Sequence, residues 1–191
     1  MDGMQSGDAA LVEAWRRGDP EAVPEVVRTH APAMLRVALA LCPRVEDAEE
    51  VVQDALLLAH RSLGRFDARR GGLRVWLVGV TANRARQVRR GQARYGGLLA
   101  RVRREPYAAA EPPSVHEDLA FARRQLASLP AREREAFVLV EMEELTSTEA
   151  ARVMRITAST VRVLVSRARG RLHVEPAFSP ADALRAEGRG R

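Results

Sequence analysis

The sequence predicts an all-α chain of two helical bundles joined by a flexible linker. Three observations point there. From Ala9 to Arg90, and again from residue 117 to 173, apolar residues recur at spacings of three and four, and no strand-like alternation persists. Within the first stretch the breaks are short, at Gly18-Asp19-Pro20, Cys42-Pro43 and Gly71-Gly72. Between the two stretches, residues 91–116 are rich in Gly, Ala, Pro and Arg without a clear period, as a linker is. The resulting boundaries are a bundle over 9–92, a linker over 93–116, a second bundle over 117–175 and a loose tail over 176–191. Residues 1–8 are small and polar and read as disordered.

Composition narrows the function. Aromatic residues make up 4% of the 191, so the core has to be built from Leu, Val and Ala. The net charge of +6 and a pI near 10.9 favour an anionic partner, usually nucleic acid, although a solvated basic surface gives the same numbers. Every basic residue is arginine, and Ile156 and Asn83 are the only residues of their types. Lys, Ile and Asn have AT-rich codons, so this reads as the imprint of a GC-rich genome. Cys42 is the only cysteine, which excludes a disulfide scaffold and fits a reducing cytoplasm. No apolar run approaches the roughly 20 residues of a membrane span, and the N-terminus lacks a signal-peptide pattern. Cytoplasmic localisation without membrane insertion is the expectation. His30, His60, His116 and His173 are scattered, and there is no phosphate-cradling glycine loop or nucleophile elbow. No catalytic residue, metal or cofactor is expected, and the chain does not read as an enzyme.

In the first bundle, residues 47–63 predict an amphipathic helix with Ala48, Val51, Val52, Ala55, Ala59 and Leu63 on its core face. The other face carries Glu50, Gln53, Asp54, Leu57 and Arg61. An apolar Leu57 among polar neighbours fits a protein-binding patch, and equally fits a stray exposed leucine. Residues 73–90 predict the next helix, with Leu73, Leu77, Val80, Thr81 and Val88 buried. Trp76, Asn83, Gln87 and Arg90 lie on a neighbouring stripe with Arg86 beside them. Amides and arginines along one helix suit single-stranded DNA. Trp76 reads better as a core residue than as a stacking platform.

In the second bundle, Leu119, Leu126, Leu129, Phe137, Val138 and Val140 predict a packing partner for the last two helices, with Pro130 starting a new helical segment. Thr146-Ser147-Thr148-Glu149 is a capping box opening a short helix. Thr157 can cap the next one, which buries Val161, Leu164, Val165, Ala168 and Leu172. Its opposite face carries Ser159, Arg162, Val163, Ser166 and Arg167. Two short helices, a tight turn and an arginine-bearing face make a helix-turn-helix; an ordinary helical hairpin with a charged outer face has the same outline.

DAEEVVQDALLLAHRSLGRFD, then WLVGVTANRARQVRR, then LASLPAREREAFVLVEMEELTSTEAARVMRITASTVRVLVSRARGRL, in that order and spacing, resemble the extracytoplasmic-function group of sigma factors in the sigma-70 family. The resemblance spans residues 10–173. It implies that the first bundle is region 2, in which Asp47, Glu50, Gln53, Asp54 and Leu57 grip core RNA polymerase. Asn83, Arg86, Gln87 and Arg90, with the loop before them, would hold the single-stranded −10 element. The second bundle would be region 4, reading the duplex −35 element through Ser159, Thr160, Arg162, Val163, Ser166 and Arg167. The resemblance also implies promoter-specific initiation in response to stress under control of an anti-sigma factor.

The chain departs from the family pattern in a few places. Pro24 falls inside a normally helical stretch and is expected to kink or shorten it. Glu144 stands where glycine commonly precedes the turn. Leu58 replaces a common arginine, and Ala150 a common isoleucine, so closer helix packing is expected there. A dimeric helix-turn-helix regulator would leave the first bundle without a role. A sigma mimic that binds no DNA would not need Arg162 and Arg167.

Overall fold

Local signals set most helix ends. The computed structural model describes the backbone of residues 2–99 and 116–172, and the side chains of 8–92 and 121–172; among these residues there is no strand. Helix α1 (Asp2–Arg16) stops at Gly18, whose φ of 76° only glycine adopts readily. Helix α2 (Ala22–Leu41) ends at Cys42-Pro43, and α3 (Val45–Ser62) runs into two 3₁₀ turns, Leu63–Arg65 and Ala68–Arg70. Gly71-Gly72 then separates them from α4 (Leu73–Leu99). After residues 100–115 come α5 (His116–Ser128), α6 (Ala131–Phe137), a π-helical turn (Val138–Met142), α7 (Ser147–Met154) and α8 (Ala158–Leu172).

Three features differ from the sequence expectation. The residues taken as a disordered N-terminus are helical from Asp2. Their helix is fastened to the start of α4, where Asp8 accepts the Leu73 amide at 2.9 Å and so caps that helix. Helix α4 continues past Arg90 to Leu99, into the stretch assigned to the linker. Gly91 costs a helix only about 1 kcal/mol, and no proline comes before Pro106, so nothing local stops it. Pro24 produces no kink: α2 starts at Ala22, so Pro24 lies in the first turn, where its missing N–H has no partner to lose.

Val12, Trp15, Val26, Met34, Ala55, Ala59, Leu73 and Leu77 form one core within α1–α4. The Trp15 indole donates to His60 Nδ1 at 3.0 Å. A second core does not respect the bundle boundary. It runs from Val37, Val51, Val78, Ala82 and Ala85 through Leu126 and Leu139 to Met154, Val161 and Ala168. The two bundles therefore pack against each other, where the sequence predicts only a tether between them. Cys42 is buried in this core, and burial together with the Asp47 carboxylate pushes its thiol up to about 11.

Candidate polymerase and nucleic-acid interfaces

The helix-turn-helix forms as its caps dictate. Thr146 Oγ1 accepts the Glu149 amide at 3.2 Å, and the Glu149 carboxylate accepts the Thr146 amide at 2.8 Å. Arg155 (φ 56°) closes α7 in the left-handed region, and Thr157 Oγ1 accepts the Thr160 amide at 3.2 Å to open α8. Helix α8 buries Val161, Val165 and Ala168. Ser159, Thr160, Arg162, Val163, Ser166 and Arg167 are all exposed, so every residue assigned to the −35 element shares one solvent face. Ion pairs at the far end fix the helix to the preceding segments: Arg169 to Glu141 at 2.7 Å and Arg171 to Glu133 at 2.9 Å. A groove of 330 Å³ between the start of α7 and α8 is lined by Ser147, Arg162, Ser166 and the Arg169–Glu141 pair, with Val140 and Val165 at its floor.

On α3 the polar face is arranged as the spacing predicts. Glu50 and Gln53 are exposed, and Leu57 is 56% exposed with Leu58 at 41% beside it. The two aspartates are more constrained than the sequence indicates. Asp54 accepts Arg84 Nε and Nη2 at 2.8 and 2.5 Å, and Asp47 accepts Gln92 Nε2 at 2.8 Å. Both carboxylates thus brace α3 against α4, and Asp54 also lies one turn from Leu57. Sequence reasoning misses Arg84 because nothing in one helix's spacing announces a partner thirty residues away on the next.

The face of α4 divides. Gln87 and Arg90 are exposed, with Gln87 accepting from Arg84 at 3.4 Å. Trp76 packs against Phe66 with ring centroids 5.4 Å apart and is partly buried at the edge of the core. Asn83 is half-buried and its Oδ1 accepts Arg86 Nη1 at 3.1 Å. Arg86, expected on the exposed stripe, instead turns into the seam between the bundles. It pairs there with buried Glu135 and reaches the Val153 carbonyl at 3.4 Å. Sequence reasoning also misses Glu143, a fully buried carboxylate just after the π turn. Arg36 grips it through Nε and Nη2 at 2.9 and 3.0 Å, and Arg74 at 2.5 Å. These partners lie far apart in sequence, and no motif links them.

One bundle thus presents an arginine-bearing helix of a helix-turn-helix, and the other an exposed leucine pair among polar side chains. Residues 26–95 match the family described as sigma-70 region 2, and residues 122–172 that described as sigma-70, region 4. The chain is 32% identical over 171 residues to the ECF RNA polymerase sigma factor SigM of Mycobacterium tuberculosis, covering 88% of this chain and 84% of that protein. Among solved structures it resembles the sigma factor RpoE in complex with the anti-sigma factor NepR from Bartonella quintana. That match has a TM-score of 0.68 and 27% identity, over 78% of this chain and 93% of the other. It also resembles CnrH in complex with the cytosolic domain of CnrY, with a TM-score of 0.67 and 26% identity, over 87% and 94%. The chain belongs to the extracytoplasmic-function sigma factors of the sigma-70 family, regulatory subunits that bring core RNA polymerase to promoter DNA. No helix among the described residues is long and apolar enough to cross a membrane.

Proposed function

We propose a division of labour among the three faces. Leu57, with Asp47, Glu50, Gln53 and Asp54 around it, docks on core polymerase. Asn83, Gln87 and Arg90, joined by Arg86 once it is released from the seam, hold the melted −10 strand. Ser159, Thr160, Arg162, Val163, Ser166 and Arg167 read the duplex −35 element. The observation that carries this reading is the outward face of α8, where all six residues are exposed while Val161, Val165 and Ala168 anchor the other side. The division falls between residues 9–92 and 117–175. The chain performs no catalysis of its own, acts in the cytoplasm, and is held inactive by an anti-sigma factor until a stress signal releases it. Support for that last element comes from the two solved relatives, one bound to an anti-sigma factor and the other to the cytosolic domain of CnrY.

Strand opening is the discriminating test. Extruding a base from its stack costs a few kcal/mol, which pocket contacts must offset. Asn83→Ala is expected to reduce permanganate reactivity of promoter thymines on duplex templates with core polymerase present. A template carrying a pre-melted bubble should recover much of the loss. Equal opening by parent and variant on duplex DNA removes Asn83 from the site, and no opening by the parent on any promoter removes the strand-opening role of this bundle.

A further inference from the structure

Helix α1 holds the segment between α3 and α4 at both ends. Near the C-terminus of α1, Arg16 Nη2 donates to the Leu63 and Phe66 carbonyls at 3.4 Å each. Two turns earlier, Asp8 Oδ2 accepts the Leu73 amide at 2.9 Å, and a Cβ placed on Gly72 would stand 3.0 Å from that oxygen. Between these points Val12 and Trp15 are buried in one core with Leu63, Phe66 and Leu73, and the Trp15 indole ties α1 to His60. Positions 8, 12, 15 and 16 are three and four apart, so one face of α1 makes every one of these contacts. The segment's own order is short-range. The Asp67 carboxylate accepts the Arg69 amide and the Asp67 carbonyl the Arg70 amide, both at 3.0 Å, and Gly71 at φ 141° turns the chain toward α4. Asp8 and Arg16 both bind backbone atoms of the segment, and the side chains of Arg65, Arg69 and Arg70 stay at the surface.

We infer that Asp8 and Arg16 are positioning residues for strand opening: α1 is a splint that presets the loop over residues 63–72, so that its outward arginines meet the melted strand already in place. The inference rests on the reading of α4 and its preceding loop as the face that holds that strand. Asp8 and Arg16 stand about 12 Å apart along their helix, whereas the chain from Leu63 to Leu73 can stretch to roughly 35 Å. Fastening both ends at the shorter distance removes the extended shapes of the loop. Arginines so close in sequence also repel one another, which favours those extended shapes unless something holds the loop. Every residue ordered at the moment of binding weakens that binding, and a loop ordered during folding escapes the penalty. Core formation alone does not call for the two polar residues. Val12 and Trp15 bury α1, while Asp8 and Arg16 add directed bonds to the two ends of the loop.

The test uses the full-length chain assembled with core polymerase. Asp8→Ala and Arg16→Ala are each expected to slow opening of a duplex promoter about fivefold and to weaken capture of a single-stranded −10 oligonucleotide by a similar factor, the scale of one lost ordering hydrogen bond. Asp8→Asn keeps an acceptor for the Leu73 amide and should restore both. Affinity for core polymerase and for the duplex −35 element should stay within twofold of the parent, measured well below the melting temperature. Hydrogen exchange reports on the loop directly, and both alanine variants should speed exchange of the Arg69, Arg70 and Leu73 amides. Should Arg16→Ala lower the helical content, Asp8→Ala and Asp8→Asn carry the test alone. Opening at the parental rate in the alanine variants, or a defect that Asp8→Asn shares, overturns the positioning role. So does a loss that falls equally on polymerase and −35 binding, which marks general damage to the fold. Arg65→Ala with Arg69→Ala keeps the two readings apart. If that pair leaves oligonucleotide capture untouched, the loop is no part of the strand-holding face and the underlying reading fails. If it weakens capture while Asp8→Ala does not, that reading stands and the splint alone falls.

Discussion

Leu57→Ala isolates the docking face of α3 from its structural role. Truncating leucine to alanine removes about three carbon groups, worth roughly 0.8 kcal/mol each when fully buried. Leu57 is 56% exposed in the free chain, so about half of that, on the order of 1.3 kcal/mol, remains to be gained against a partner. Polymerase affinity should therefore fall about tenfold. The fold should not suffer, because alanine is at least as good a helix former as leucine and the core face, Ala48, Val51, Ala55 and Ala59, is untouched. The assay is a titration of labelled chain with core polymerase, read by anisotropy, with helical content and melting temperature as controls. Affinity within twofold of the parent, with the fold intact, would refute the argument that this leucine is exposed for a partner.

Three further outcomes are expected. Arg162→Ala should weaken promoter binding by about 1–3 kcal/mol and relax preference at one −35 position, read by selection from a promoter library; an unchanged selected sequence moves the reading face elsewhere. His30 is buried, and desolvation lowers its pKa from 6.5 against the opposing pull of Asp8, with Arg74 lowering it further. The unfolded chain therefore takes up the proton first. Stability is full above about pH 6.5 and declines as pH falls below it, and thermal melts of His30→Leu should show that decline flattened. Glu144→Gly relieves a left-handed residue at φ 57° and should stabilise the fold by about 0.5–1 kcal/mol net of glycine's extra unfolded-state entropy, seen as a higher urea midpoint.

The range of each interaction decides whether the sequence reveals it. The capping box at Thr146, the Thr157 cap and the apolar stripe of α8 involve residues three or four apart; both caps form, and of the stripe Val161, Val165 and Ala168 are buried while Leu164 and Leu172 pack at its edge. Trp76, expected in the core, lies at its edge, partly buried against Phe66. Glu144, standing in for glycine, takes the backbone conformation that glycine would. The failures are long-range. Arg86 belongs to the right stripe of its helix, yet its direction is set by Glu135, 49 residues on. Arg36 and Glu143 are separated by 107 positions, and neither has a local pattern that names the other. Helix α4 overruns its predicted end because a single glycine is a weak stop, whereas the proline-marked start of α6 falls where expected.

The way the two bundles are strung together has a consequence for strength. Helix α4 ends at Leu99 and α5 begins at His116, so residues 100–115 connect them covalently. A segment of that length has a contour of at most roughly 55 Å, and binding across such a tether proceeds at an effective concentration on the order of millimolar. A contact too weak to observe between separate molecules is enough to hold the two bundles together within one. Dilution does not separate them, because the concentration of one bundle around the other is set by the connecting segment and not by the solution. The same contour bounds how far apart the proposed −10 and −35 faces can stand on a promoter, so the length of this segment limits the spacing of the elements that can be bridged.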